Sequence, residues 1–227
     1  MKDYEYLLYF IMGSINAEQP LDVLEKALKG GITCFQLREK GPGALRGAEK
    51  MEFALRCQRL CKQYDVPFFV NDDVELAMAI KADGVHVGQE DEEAGSVREK
   101  IGSHMKLGVS VHTVEEALAA QAAGATYVGM GPVYPTHTKL DAKPVAGTNM
   151  IGEVARLIPE LPIVGIGGIC AMNAAPVILA GASGISVISA IAAAEEPTQA
   201  TSQLKEVLCK ALSKYAKLLK GEKPEFP

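Results

Sequence analysis

A chain of 227 residues, 48% hydrophobic and 22% charged, can build one large core, and an α/β barrel commonly fills this length as a single domain. Its net charge of −5 offers no basic footprint for a nucleic acid, so none is expected as a partner. No apolar run approaches the roughly 18 residues of a membrane span, and the short N-terminal apolar stretch is too brief for an export signal, so a cytoplasmic protein without a membrane partner is expected.

Eight β-rich runs follow one another: 6–12, 32–38, 67–71, 84–88, 107–111, 126–131, 162–168 and 184–189. Helix-period segments separate them, among them "PLDVLEKALKGG", "TVEEALAAQAAGA" and "NAAPVILAGAS", several closing on Gly, a stop signal before the next strand. Regular strand–helix alternation without a composition break predicts a single-domain (β/α)8 TIM barrel over residues 1–219, with 220–227 as a disordered tail. The third and fourth runs lie close together, leaving room for only a short helix at about 73–81. The five cysteines are scattered and odd in number. Cys57 and Cys61 have helical spacing without a partner pair nearby, so buried thiols in a reducing compartment are expected.

In such a barrel the functional groups follow the C-terminal ends of the strands. After the second run, period-2 alternation in "QLREK" sets Gln36, Arg38 and Lys40 on one side, with Leu37 and Glu39 on the other. An amide and two cations converging at the barrel mouth suit phosphate oxygens.

The third run ends in Asn71, Asp72 and Asp73. Asn71 can donate to a phosphate, Asp72 can ligate a hard cation, and Asp73 reads as the N-cap of the following helix. The fourth run is followed by "GQED", where Asp91 can pair with Asp72, whereas Glu92 and Glu93 read as an acidic helix start. Two carboxylates from neighbouring strand ends, with phosphate present, are a usual way to hold Mg2+.

His86 alternates with Val85 and Val87 and should point inward as a supporting residue. Ser110 alternates with Val109 and Val111 and should reach the same mouth, while Thr113 reads as a helix N-cap. His112 fits either the rim or the outer surface. The stretch after the sixth run, 132–147, is the longest without periodicity, and its "PTHTK" brings together two hydroxyls and Lys139, a candidate clamp on a substrate. At the seventh and eighth runs, Gly167 and Gly168 permit close backbone approach, and Ile188 and Ser189 can present amides to a phosphate.

Taken together, "QLREK", "VNDDVELA", "GVHVGQED", "LGVSVHT", "YVGMGPVYPTHTK", "PIVGIGGI" and "GISVISAI" resemble the thiamine-phosphate synthase family in order and spacing, over nearly the whole chain. The resemblance implies condensation of 4-amino-5-hydroxymethyl-2-methylpyrimidine pyrophosphate with 4-methyl-5-(2-phosphooxyethyl)thiazole. It implies that Gln36, Arg38, Lys40, Asn71, Ser110 and Lys139 contact the pyrimidine pyrophosphate, and that Asp72 and Asp91 ligate Mg2+. Thr136 and Thr138 would lie on the loop holding the thiazole, and Gly168, Ile188 and Ser189 would present backbone to its phosphate. A homo-oligomer is compatible with all of this. A related isomerase that binds a thiazole phosphate would have no use for the carboxylate pair and its cations, and a non-catalytic metabolite sensor would need only the phosphate cup.

Overall fold

The computed structural model describes residues 4–136 and 145–220. Each of the eight apolar runs forms a strand: β1 (Leu8–Met12), β2 (Cys34–Leu37), β3 (Phe68–Asn71), β4 (Gly84–Val87), β5 (Lys106–Val111), β6 (Tyr127–Met130), β7 (Ile163–Ile166) and β8 (Gly184–Val187). All neighbours pair in parallel, and β8 returns to β1 to close the barrel. Except at β5, the strands are shorter than the apolar runs, for a local reason that is clearest at β7. Gly167 and Gly168 follow Ile166 with φ of 100° and 64°, a left-handed backbone that ends any strand and that a side chain would strain.

The intervening segments are helical: α1 (Pro20–Gly30), α2 (Gly47–Gln63), α3 (Val74–Ala79), α4 (Ala94–Ile101), α5 (Val114–Ala122), α6 (Asn149–Leu157), α7 (Ala174–Leu179), a single turn α8 (Ser189–Ala192) and the long α9 (Pro197–Leu219). Their limits follow local chemistry. Proline opens α1, where its missing N–H costs nothing, and Gly31 closes it in a left-handed cap whose N–H donates to Ala27 and Leu28, both at 3.0 Å. The short α3 starts as expected, with the Asp73 carboxylate accepting from the Leu76 N–H at 3.0 Å. Thr113 caps α5 and Glu93 caps α4 in the same way. Lys220 is the C-cap of α9, and the rest of the expected tail, 221–227, lies outside the described residues.

Alternation along the strands divides the apolar residues between two cores. One set (Leu8, Phe10, Leu37, Phe68, Val70, Val85, Val109 and their neighbours) packs outward against the helices. The other (Tyr9, Ile11, Cys34, Phe69, Tyr127 and Val164) fills the barrel. The interior is crowded with aromatic rings: Phe69 meets Tyr127 edge-on at 5.7 Å between ring centres, and Tyr9 lies 5.8 Å from Tyr127. Of the five free cysteines, Cys34, Cys57 and Cys61 are buried as expected, whereas Cys170 is half-buried and Cys209 is exposed. Among the described residues, no helix is long and apolar enough to cross a membrane.

Candidate active site

A pocket opens at the C-terminal end of the barrel, where the strand ends deliver their polar residues. Arg38 and Lys40 follow β2, Asn71 ends β3 and Asp72 follows it, Gln89 and Asp91 follow β4, and Ser110 lies within β5. Thr136 and Gly167 form the wall toward β6 and β7. A second cavity adjoins it and shares Thr136, Ile166 and Gly167; Gly168, Ile188 and Ser189 line this second space. Every residue that the sequence assigned to substrate or metal is thus gathered at one of two contiguous cavities, with three exceptions. Thr138 and Lys139 lie outside the described residues. Gln36 lies beneath the pocket, only 2% exposed, and its amide donates to the Tyr9 hydroxyl at 3.0 Å.

The two carboxylates face a common cation. Lys40 Nζ is 3.0 Å from Asp72 Oδ2 and 4.0 Å from Asp91 Oδ1. The second oxygen of Asp91 accepts from the Gly88 N–H at 2.8 Å, which fixes the acidic loop after β4. Burial above all, and then the neighbouring Asp91, push the Asp72 carboxyl above its ordinary range. Partial burial also acts to raise Asp91, but hydrogen bonds from Asp72 and from the Gly88 N–H, with the Lys40 charge, hold it below the ordinary value. The two shifts run in opposite directions, so as pH falls Asp72 takes up a proton before Asp91 does. Partial burial would lower the Lys40 ammonium, yet the Asp72 hydrogen bond and both carboxylates hold it above its usual value.

This donor set fits a hard divalent cation. An ammonium already rests between the carboxylates, and two oxygen ligands at a solvent-open rim leave coordination positions for water and a phosphorylated ligand. Among the described residues there is no cluster of three or more metal-ligating side chains, so a cation here would depend on ligand oxygens.

Asp72 and Asp73, adjacent in sequence, divide the work. Asp72 has φ of 63°, a left-handed backbone that Asp and Asn tolerate better than most residues, and its N–H donates to His86 O at 2.8 Å. That turn sends the Asp72 carboxylate to the pocket and the Asp73 carboxylate away to α3, where it also pairs with Lys50 at 2.6 Å.

His86 and Ser110 lie as alternation requires. The His86 ring spans from Tyr127 to Ser110, with Nδ1 2.9 Å from Tyr127 Oη and Nε2 2.9 Å from Ser110 Oγ. His112 resolves to the rim: it lines the pocket, and its Nδ1 lies 3.1 Å from Glu116 Oε2. Three contributors escaped the sequence reading. Gln89 lines the pocket and donates to Ser110 O at 2.6 Å; its only signal was its place between a strand end and Asp91. Tyr9 and Tyr127 read as apolar strand positions, although a buried tyrosine hydroxyl needs a partner. The close approach that Gly167 and Gly168 permit is made by the chain itself: ideal Cβ atoms there would stand 2.6 Å from Pro132 Cβ and 2.4 Å from Pro135 O.

Comparison with known proteins bears on this geometry. The thiamine monophosphate synthase family matches residues 8–191. A thiamine-phosphate synthase of Geobacillus kaustophilus (strain HTA426) is 59% identical over 202 residues, covering 88% of this chain and 91% of that protein. One of Bacillus mycoides (strain KBAB4) is 56% identical over 206 residues, covering 90% and 94%. Among solved structures, a thiamine phosphate pyrophosphorylase from Pyrococcus furiosus superposes with a TM-score of 0.82 at 34% identity, covering 93% of this chain and 98% of the other.

Proposed function

The chain belongs to the thiamine monophosphate synthase family, and from that premise we propose that it condenses 4-amino-5-hydroxymethyl-2-methylpyrimidine pyrophosphate with 4-methyl-5-(2-phosphooxyethyl)thiazole, giving thiamine phosphate and pyrophosphate. Thiamine-phosphate synthase activity in thiamine biosynthesis is the coarser statement that its relatives support directly. One observation carries the finer one: Asp72 and Asp91, from two strand ends, face one cation beside Arg38 and Asn71 in an open pocket.

In this reading Asp72 and Asp91 hold Mg2+, which, when bound, supplies charge neutralisation to a pyrophosphate leaving group. Arg38 and Lys40 face the same phosphate oxygens, Asn71 and Ser110 donate to them, and Lys139 would complete the cation set. The diphosphate ester carries about three negative charges, so a cluster of fixed cations is what its departure requires. The carbon–oxygen bond breaks with its electron pair leaving on pyrophosphate, and the aminopyrimidine ring stabilises the carbocation left behind. The thiazole nitrogen then supplies the electron pair of the new carbon–nitrogen bond.

The adjoining cavity, with Thr136 at the junction and Gly168, Ile188 and Ser189 behind it, suits the thiazole phosphate. No protein nucleophile enters this scheme; the residues orient two substrates and stabilise departing charge. A cytoplasmic location belongs to the same proposal, in keeping with five cysteines that are all free.

The test is to mix the purified protein with both substrates, with and without Mg2+, and to assay thiamine phosphate and free pyrophosphate. The proposal expects both products in equal amounts and only with the metal. Binding of the thiazole phosphate without product would support a sensor instead.

A further inference from the structure

Five side chains from five strands form one continuous file of hydrogen bonds through the barrel. Gln36 Nε2 lies 3.0 Å from Tyr9 Oη, Tyr9 Oη 2.9 Å from Tyr127 Oη, Tyr127 Oη 2.9 Å from His86 Nδ1, and His86 Nε2 2.9 Å from Ser110 Oγ. Only the last member lines the pocket.

We propose that Gln36, Tyr9, Tyr127 and His86 are positioning residues that act through one another on Ser110. The file runs in one direction from the Gln36 amide and turns the Ser110 hydroxyl proton into the pocket as a donor to an anionic ligand. This rests on the proposed reaction for its anion, a pyrophosphate, and the direction of the file is read from its two ends, the Gln36 donor and the anion in the pocket.

A carboxamide nitrogen can only donate, so Tyr9 Oη accepts from Gln36. Each tyrosine has one hydroxyl proton. In a file that runs outward from that donor, Tyr9 gives its proton to Tyr127, and Tyr127 gives its own to His86 Nδ1. A His86 that accepts at Nδ1 is neutral and carries its proton on Nε2, where it donates to Ser110 Oγ. Ser110 is then an acceptor toward His86 and keeps its proton for the pocket. Burial pushes both tyrosine hydroxyls well above their ordinary values, so both protons stay in place.

The reverse direction would leave Tyr9 Oη accepting from both Gln36 and Tyr127, and it would present serine lone pairs to an anion. The barrel is also shaped for the file. Gly108 pairs with His86 on one side and Tyr127 on the other, and a Cβ there would stand 2.4 Å from Tyr127 Oη and 2.5 Å from His86 Nδ1.

The test reads the His86 tautomer by 15N NMR in the full-length protein labelled at histidine nitrogen, with the His86→Gln variant to identify the resonances. An Nε2–H neutral ring in the wild type is expected; an Nδ1–H ring or an imidazolium at neutral pH would overturn the proposal. Tyr127→Phe should release that tautomer preference and lower kcat on the order of tenfold, with KM for the thiazole phosphate little changed. Unchanged tautomer and kcat in that variant would also overturn it, and if the variant does not fold, the wild-type spectrum still decides. The tautomer is read without substrates, so a wild-type protein that makes no thiamine phosphate would count against the reaction alone.

Discussion

The Lys40 ammonium hydrogen-bonds the Asp72 carboxylate at 3.0 Å, across the pocket mouth from one strand end to the next. Lys40 thus holds the place of positive charge between two acids that a divalent cation would take over. Replacing Asp72 tests this, and the choice of replacement matters because its φ of 63° suits Asn far better than Ala. Asp72→Asn keeps the backbone and removes the charge. Turnover with Mg2+ should fall by about a hundredfold or more, the scale for losing one aimed electrostatic group, as measured by pyrophosphate release. Undiminished turnover would remove the carboxylate pair from the chemistry.

The same residue predicts two opposite pH effects. The Asp72 carboxyl is raised by burial and by Asp91, so protons compete with a cation for it at higher pH than for an ordinary aspartate. The Mg2+ concentration needed for half-maximal rate should therefore rise as pH falls through that raised value. Stability runs the other way. An acid raised above its unfolded value of about 3.9 contributes stability below that pH and loses it as pH rises through the folded value. At neutral pH the ionised Asp72 is a cost to the metal-free fold. Asp72→Asn should melt at or above the wild-type temperature in the absence of Mg2+, and a clear drop would contradict the sign.

Most of the barrel was legible because eight apolar runs alternate with helix-period segments, and both the pairing and the closure followed. The inward placement of His86 and Ser110 was legible too, since alternation decides the side on which a residue lies. Alternation does not decide depth. Gln36 and Arg38 share a side of β2 and its extension, yet Gln36 is buried under the pocket floor and Arg38 lines the pocket, because the tilt of the strands sets each residue's height. The tyrosine hydroxyls were hidden for a related reason: Tyr9 and Tyr127 fit an apolar strand by pattern, and only the packed interior shows where their polar ends meet.

Asp73, next to a residue of the site, should behave as a purely structural one. Its carboxylate caps α3 and pairs with Lys50, and these bonds outweigh partial burial to hold it below its ordinary value. Asp73→Ala should destabilise the protein by about 1 kcal/mol, the usual worth of a cap, in urea denaturation at neutral pH. A depressed carboxyl contributes stability above its unfolded value and loses it as pH falls through the folded one. The difference between variant and wild type should therefore shrink toward acid pH, and kcat at saturating Mg2+ should stay near the wild-type value.

Three glycine-to-alanine changes separate the packing of the barrel interior from glycine content in general. At Gly108 the new methyl would stand 2.3 Å from Tyr127 Cζ and 2.5 Å from His86 Nδ1, inside a closed strand that cannot step aside. Overpacking of this kind costs about 1–3 kcal/mol, and pushing the ring of His86 off Ser110 should lower kcat as well. At Gly129 the nearest atom is His86 Cε1 at 3.1 Å, so a small ring shift suffices and a milder loss of both is expected. At Gly152, within α6, the methyl would meet only Ala180 O at 3.5 Å. There alanine should stabilise by up to about 1 kcal/mol through helix propensity and leave turnover alone. Urea midpoints and kcat for the three variants should fall in that order, and a Gly108→Ala protein with wild-type values in both would show that the His86–Tyr127 contact is not held by the space that Gly108 leaves.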